Sequence, residues 1–410
     1  MQYKLTPPTK ISTEIQLPSS KSISNRALIL NALSLNASPI INLSDCEDTK
    51  VLINAFNSDS NVFDIGHAGT AMRFLTAFLA GMEGEWTIKG SKRMHERPIY
   101  PLVDTLRALG ADIEYIENEG YPPLKIKGKQ LKGGEVHLAG SISSQFVSAM
   151  LMIAPLMNEG LTIRIKDEVV SKPYVSLTIS LMKKYGVNVK WEGNTMMVKR
   201  KDYKPFSLTV ESDWSAASYW YAMVALLPDG SQVKLLGLEK KSLQGDAKAA
   251  ELFEFLGITT EFLSDGVVIS KTKAAADRFF YDFINEPDLV QTFAVTCCFL
   301  GIRFLFSGTQ TLKVKETDRV SALITELRKF GFVLQEFKNN TFGWNGERCE
   351  AEENPVIETY DDHRMAMAFA PVAIREKSVI INEPDVVVKS YPNFWEDLQK
   401  AGFGIEKNNK

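Results

Sequence analysis

Lysine, arginine, serine and aspartate recur where apolar, small-residue segments begin: Ser20-Lys21-Ser22, Ala68-Gly69-Thr70, Ser143-Ser144-Gln145, Asp213-Trp214-Ser215, Asp288 and Asp362-His363-Arg364. Taken singly, Ser, Thr and Asp at such points are N-caps, accepting bonds from the unpaired amides of a first helical turn. A helix start also presents free N–H groups and partial positive charge, which suits an anion. Beside these starts stand Lys21, Arg26, Arg73 and Arg364, and polar loops add Arg97, Lys172, Lys315, Arg319 and Lys389. An isolated lysine is ordinarily a solvated charge. Lys21, Arg26, Arg97, Lys315, Arg319, Arg364 and Lys389 acting together require a multiply charged ligand, and guanidinium forks match carboxylates and phosphates. Asp288 and Glu316, lying among those cations, become candidates for proton transfer.

The sequence offers no rival chemistry. It lacks a GxxxxGK[ST] phosphate loop, a GxGxxG after a strand, an HExxH and a GxSxG. His67, His95, His137 and His363 have no ligand spacing, so no metal is expected. Cys46, Cys297, Cys298 and Cys349 are too few and too scattered for a disulfide framework. The 410 residues carry 47 Lys plus Arg against 50 Asp plus Glu, a net charge of −3, which excludes a basic nucleic-acid binder. Any anion site must therefore be a local concentration of cations. With 45% hydrophobic and 24% charged residues the chain is of ordinary globular composition. The longest apolar stretch, 292–302, is too short to span a membrane, and the N-terminus has no apolar signal core. A cytoplasmic protein is expected.

A repeat positions these residues. Apolar helical segments end at Gly110, Gly186, Gly257, Gly331 and Gly402, at near-equal intervals of roughly seventy-odd residues. Glycine suits the position after a helix because it enters the left-handed region without a Cβ penalty. Alternating segments follow and turn at Glu192-Gly193-Asn194 and Ser264-Asp265-Gly266, as hairpins do. Upstream of each glycine come a small-residue helix, a β-branched strand and a polar loop. The unit is helix, strand, loop, helix and hairpin, present six times, shorter in its first copy and lacking the last hairpin strand in its final one. N-terminal strands at 3–5 and 14–17 are available to complete that final copy. Grouped by three, the units predict an α/β chain of two similar domains with threefold internal likeness, 15–213 and 214–410 with 1–14. The helix starts of each domain should converge on one face, and the two faces should form a cleft between domains.

At these residues the sequence resembles the 5-enolpyruvylshikimate-3-phosphate synthases (3-phosphoshikimate 1-carboxyvinyltransferases) over essentially its whole length. The strings that carry the resemblance are LPSSKSISNRA, GHAGTAMRFL, HERPIYPLVDTLRALGA, GSISSQF, SKPY, EPDLVQTFAV, KETDRV, DDHRMAMAFA and KSYPNFW. It implies two domains of three βαβαββ units each. It also implies transfer of the enolpyruvyl group of phosphoenolpyruvate to the 5-hydroxyl of shikimate 3-phosphate, with release of phosphate, in aromatic amino acid biosynthesis. By motif position Ser143, Ser144 and Ser171 would hold the shikimate phosphate with Tyr174 nearby. Ser22 and Arg26 would lie on the carboxylate side, Gln145 along the ring, and Thr311 and Lys315 among the contacts. Phosphoenolpyruvate would be gripped by Lys21, Gly69, Arg97, Gln145, Arg319, Arg364 and Lys389. Asp288 would take the hydroxyl proton, assisted by Lys315. Glu316 would protonate the methylene carbon and Lys21 the leaving phosphate. No cofactor, metal, nucleic acid or membrane partner is implied, and a monomer is expected.

Four residues depart from the family pattern: Ser19 for Gly, His67 for Asn, Phe74 for Pro and Thr311 for Asn. His67 beside phosphoenolpyruvate would make the pocket charge pH-dependent. The sister transferase acting on UDP-N-acetylglucosamine carries a reactive Cys before its Arg-Pro pair, and residues 88–98 here contain none. A silent polyanion-binding homologue and a structural repeat scaffold are the non-enzymatic alternatives; the cation count disfavours the scaffold.

Overall fold

The five helix-ending glycines all take positive φ, at 98° for Gly110, 86° for Gly186, 83° for Gly257, 80° for Gly331 and 95° for Gly402. In the computed structural model, which describes residues 1–139, 143–166, 169–272 and 276–408, a strand pair follows four of these turns. Apolar alternation lays one face of these pairs on a helix layer, except in the strand Gln335–Phe337, which is exposed at every residue.

Five four-stranded sheets share one order. In one, Gly134–Leu138 runs parallel to Leu161–Ile165, which pairs antiparallel with Thr195–Val198, itself antiparallel to Val189–Glu192. The sheet of Val62–Asp64, Gly84–Lys89, Leu124–Gly128 and Asp112–Tyr115 repeats it, as does that of Arg278–Asp282, Arg303–Ser307, Thr341–Trp344 and Gln335–Phe337. Each parallel pair needs a crossover, which a buried helix supplies. The first copy, lacking its hairpin, forms the short parallel pair of Ile40–Ile41 and Leu208–Thr209 and a parallel bridge between Ser34 and Tyr203.

The N-terminus completes two sheets, where the sequence suggested one. Gln2–Thr6 lies between Val379–Asn382 and Gly404–Asn408, taking the missing hairpin place of the last copy. Ser12–Gln16 goes elsewhere, parallel to Gln232–Leu236 and so into the fourth copy, where Ile15 is buried. The chain accordingly divides into Ser19–Val210 and Met1–Pro18 with Glu211–Lys410. These limits differ from 15–213 by a few residues at each crossing. Ser212 donates to the Gly237 carbonyl and Asp213 to that of Pro18, both at 2.9 Å, which ties them to the second unit.

Apolar residues surround the central helices on every side, so such helices must be buried. In Ser19–Val210 these are Gly69–Ala80 and Ser144–Ile153, packed beside Lys21–Ala32. In the other unit they are Trp214–Leu226, Val290–Leu300 and His363–Phe369, which pack on one another. Trp214–Leu226 buries every residue except Ser215. Each large apolar side chain buried this way contributes about 1.5–3 kcal/mol, and the helix starts are held accordingly. Among the described residues no helix is long and apolar enough to cross a membrane. The four cysteines are free thiols.

Candidate active site

The sequence places cations at two sets of helix starts, and each unit gathers its own. In the unit containing Glu211–Lys410, Arg319 is the hub, with a side chain only 2% exposed. It opens helix Arg319–Arg328, capped by Asp318, and points its fork at three carboxylates. Nε and Nη2 donate to Asp362 at 2.7 and 3.2 Å, Nη1 to Asp288 at 3.2 Å and Nη2 to Glu316 at 3.1 Å. Burial opposes the guanidinium's charge, but Asp362, Glu316 and Asp288 outweigh it and hold Arg319 more firmly protonated than usual. Lys389 Nζ donates to Glu316 at 2.8 Å, and Lys315 Nζ lies 3.6 Å from Asp288. Burial pushes the Lys315 ammonium below its ordinary pKa, with Arg319 and Arg364 adding to that effect and Asp288 and Glu316 resisting it.

Arg364 joins all three helix starts of this unit. Its Nη2 donates to Asp288 Oδ2 at 2.8 Å and to Ser215 Oγ at 3.4 Å, while Nη1 donates to the Tyr219 hydroxyl at 3.2 Å. Asp362 caps the helix that carries Arg364, accepting from the Arg364 amide at 2.9 Å. The approach to that cap is strained: Tyr360 and Asp361 sit at φ 53° and 54°, a conformation costing about 1–3 kcal/mol each. The Tyr360 hydroxyl donates to buried Glu326 at 2.7 Å, on the helix that begins with Arg319, so one helix holds both ends of the loop. Asp288 is not a side-chain cap. It lies in the turn Pro287–Leu289 ahead of the helix Val290–Leu300, with its carboxylate committed to Arg319, Arg364 and Lys315.

In the unit Ser19–Val210, Ser20 caps the helix Lys21–Ala32, and Lys21 Nζ pairs with buried Asp48 at 3.1 Å. Ala68, not Thr70, occupies the N-cap of Gly69–Ala80 and leaves its first turn without a side-chain cap. A Cβ on Gly69 would stand 2.7 Å from Arg73 Nη1 and 2.8 Å from Arg97 Nη1, so the bare glycine lets two guanidiniums lie against the helix start. Thr70 Oγ1 instead accepts from Gln145 Nε2 at 3.1 Å, which joins the second helix start to the third. Ser143 caps Ser144–Ile153 through the Gln145 amide; residues 140–142 of the same motif lie outside the described residues. Ser171 precedes Lys172–Lys184 at φ 54° with no side-chain cap bond. Lys172 is exposed.

Arg26, 2% exposed, is spent on oxygens of its own unit: Nε to Thr178 Oγ1 at 2.7 Å, Nη1 to the Ser22 carbonyl at 2.9 Å, and Nη2 to Ser148 Oγ and the Tyr174 carbonyl. Its guanidinium lies 5.3 Å from the Phe74 ring centroid, so the unusual Phe74 packs on Arg26 and leaves the helix intact. Burial lowers the Arg26 pKa to about 10. Of the other departures, His67 is exposed with Nδ1 3.1 Å from Ser91 Oγ. The Thr311 hydroxyl oxygen is buried and has no hydrogen-bond partner among the described residues. Sequence reasoning missed Asp48 and Asp246, and read Asp362 as a cap without its pairing to Arg319.

A family model described as EPSP synthase (3-phosphoshikimate 1-carboxyvinyltransferase) matches residues 5–58 and 50–398. The chain belongs to this family. A 3-phosphoshikimate 1-carboxyvinyltransferase of Bacteroides fragilis (strain YCH46) is 51% identical over 407 residues, covering 99% of each chain. That of Aliivibrio salmonicida (strain LFI1238) is 39% identical over 432 residues, covering 97% of this chain and 98% of its own. An EPSP synthase structure from Acinetobacter baumannii superposes with a TM-score of 0.78 at 20% identity, over 99% of this chain and 100% of that one, and shows the same fold. The two-domain α/β architecture of the family is therefore that of this chain.

Proposed function

We propose that the cation and carboxylate sets described above carry the family's reaction in this chain. The chain transfers the enolpyruvyl group of phosphoenolpyruvate to shikimate 3-phosphate, a step of aromatic biosynthesis. Ser143, Ser144, Ser171 and Tyr174 are assigned to the shikimate phosphate, and Ser22, Gln145, Thr311 and Lys315 to the rest of that substrate. Arg26 acts from beneath, holding Ser22 and Tyr174 by their carbonyls. Lys21, Gly69, Arg97, Gln145, Arg319, Arg364 and Lys389 are assigned to phosphoenolpyruvate.

The observation that carries this reading is the pairing of Asp288 and Glu316 with the very cations assigned to substrate. These carboxylates are paired with the guanidiniums and the ammonium. An incoming carboxylate or phosphate exchanges for them, and each carboxylate that loses a cation becomes more basic. Asp288 is thereby able to accept the 5-hydroxyl proton, and Glu316 to carry a proton for the methylene carbon. Lys315, with its lowered pKa, relays protons at Asp288, and Lys21 protonates the departing phosphate. The remaining fixed cations stabilise the charge of the tetrahedral intermediate, because they are already oriented and need not reorganise. The deciding experiment measures phosphate release from phosphoenolpyruvate with and without shikimate 3-phosphate. Release should depend on the second substrate and collapse in Asp288→Ala while both substrates still bind. Release indifferent to shikimate 3-phosphate would remove the assignment.

A further inference from the structure

Behind Arg364 lies a carboxyl group to which the reaction assigns nothing. Asp246, in the turn Gly245–Lys248, is 3% exposed. The turn is anchored by Gln244, whose Oε1 accepts from the Trp214 amide at 3.1 Å and whose Nε2 donates to the Ser212 carbonyl at 2.8 Å. Ser215 Oγ donates to Asp246 Oδ2 and accepts from Arg364 Nη2 at 3.4 Å. Arg364 Nη2 in turn donates to Asp288 Oδ2 at 2.8 Å. A carboxyl, a hydroxyl, a guanidinium and a second carboxylate thus form one chain, drawn from four separate segments.

Every neighbouring element brings charge to this point. The helix start at Trp214 brings Asp213, the turn Pro287–Leu289 brings Asp288, and the helix His363–Phe369 brings Arg364. The turn that holds Asp246 also carries Lys248, whose ammonium is committed to Glu251. Burial, then Asp288 and Asp213, raise the Asp246 carboxyl to about 7 against the lowering pull of Arg364 and Ser215.

We propose that Asp246 is a positioning residue that acts through Ser215 on Arg364, and that its charge sets how firmly Arg364 holds the anionic substrate. This rests on the assignment of Arg364 to phosphoenolpyruvate. When ionised, Asp246 draws the Ser215 proton to itself, turns the Ser215 lone pairs toward Arg364 and adds a second negative charge that competes with the substrate. When neutral, that competition is gone. Linkage makes the effect reciprocal: a bound anion must raise the proton affinity of Asp246 by the factor by which protonation tightens the anion.

The test is the KM for phosphoenolpyruvate, with kcat, between about pH 6 and pH 8.5 in the full-length enzyme. The substrate phosphate ionises in the same range in every variant, so the profiles are compared with one another. Asp246→Asn should lower KM at the alkaline end about three- to tenfold relative to the unaltered enzyme, leaving only the substrate's own titration, with kcat changed less than KM. Ser215→Ala keeps the carboxyl but removes the hydroxyl through which it reaches Arg364, so the part of the KM profile that Asp246→Asn removes should largely vanish here too. It also decides the matter if Asp246→Asn does not fold. Profiles superimposable on that of the unaltered enzyme overturn the proposal. Arg364→Lys separates the two failures: an unchanged KM removes the assignment of Arg364, whereas a raised KM with superimposable Asp246→Asn profiles removes only the role of Asp246.

Discussion

Arg319→Met would show whether the carboxylate cluster depends on its guanidinium hub. The substitution keeps much of the side-chain volume and deletes four charge-assisted bonds, two to Asp362 and one each to Asp288 and Glu316. Asp362 decides the cost, because its side chain is 0% exposed, whereas those of Asp288 and Glu316 are 17% and 14% exposed and water can partly replace the lost partner. Removing one partner of a buried ion pair destabilises by about 3–5 kcal/mol. Arg319→Lys restores a charge without the planar fork and should recover only part of that loss, about 1–3 kcal/mol. Urea unfolding followed by tryptophan fluorescence reports on this unit, which holds Trp214, Trp220, Trp344 and Trp395. The midpoint should fall by about 1–2 M for the Met variant. Turnover should fall by about 10²–10³ in the Lys variant, since a point charge cannot orient three carboxylates together. Full recovery of stability and turnover by lysine would refute the reasoning, since charge alone would then suffice. A Met variant within about 1 kcal/mol of the unaltered protein would show that Asp362 needs no partner.

Asp288→Asn keeps the shape of the carboxylate and removes its basicity, so kcat should drop by about 10²–10⁴ while the KM values change little; a kcat within tenfold contradicts its role. Gly69→Ala places a Cβ against the far ends of two arginine side chains, which can shift without disturbing the backbone. Its KM for phosphoenolpyruvate should rise about tenfold with stability altered by less than about 1 kcal/mol, and an unchanged KM argues against Arg97 as a substrate contact. The lowered pKa of Lys315 means that its working cation is lost as pH rises, so activity should fall on the alkaline side below the range of an ordinary lysine. Lys315→Arg, charged throughout, should abolish that limb in a kcat/KM profile, and persistence of the limb assigns it to another group.

Much of the fold was legible because its signals are local. The glycine at each helix end is read from a steric preference within one residue, and all five take positive φ. The polar–apolar alternation after them is a period that only a strand presents to one face. The destination of Ser12–Gln16 was not legible, since Gln2–Thr6 has a similar pattern and either could fill an open sheet edge. Which edge each filled was decided by strand pairing across the fold. Phe74 illustrates the same limit in the other unit. Nothing in the order of the residues places its ring against the buried Arg26 guanidinium, which stands on a separate helix.

By itself the sequence determined which residues begin and end helices, how many copies of the unit exist, and that lysine and arginine stand at equivalent places in those copies. Capping, left-handed glycine and periodicity are energies paid within a few residues, so they are written in the order of the residues. Only tertiary structure decided which charge meets which. Lys21 found Asp48, Arg319 found Asp362, and Ser215 joined Asp246 to Arg364 because packed helices brought their starts together. Coulomb energy depends on distance and on exclusion of water, and neither exists until the core has closed.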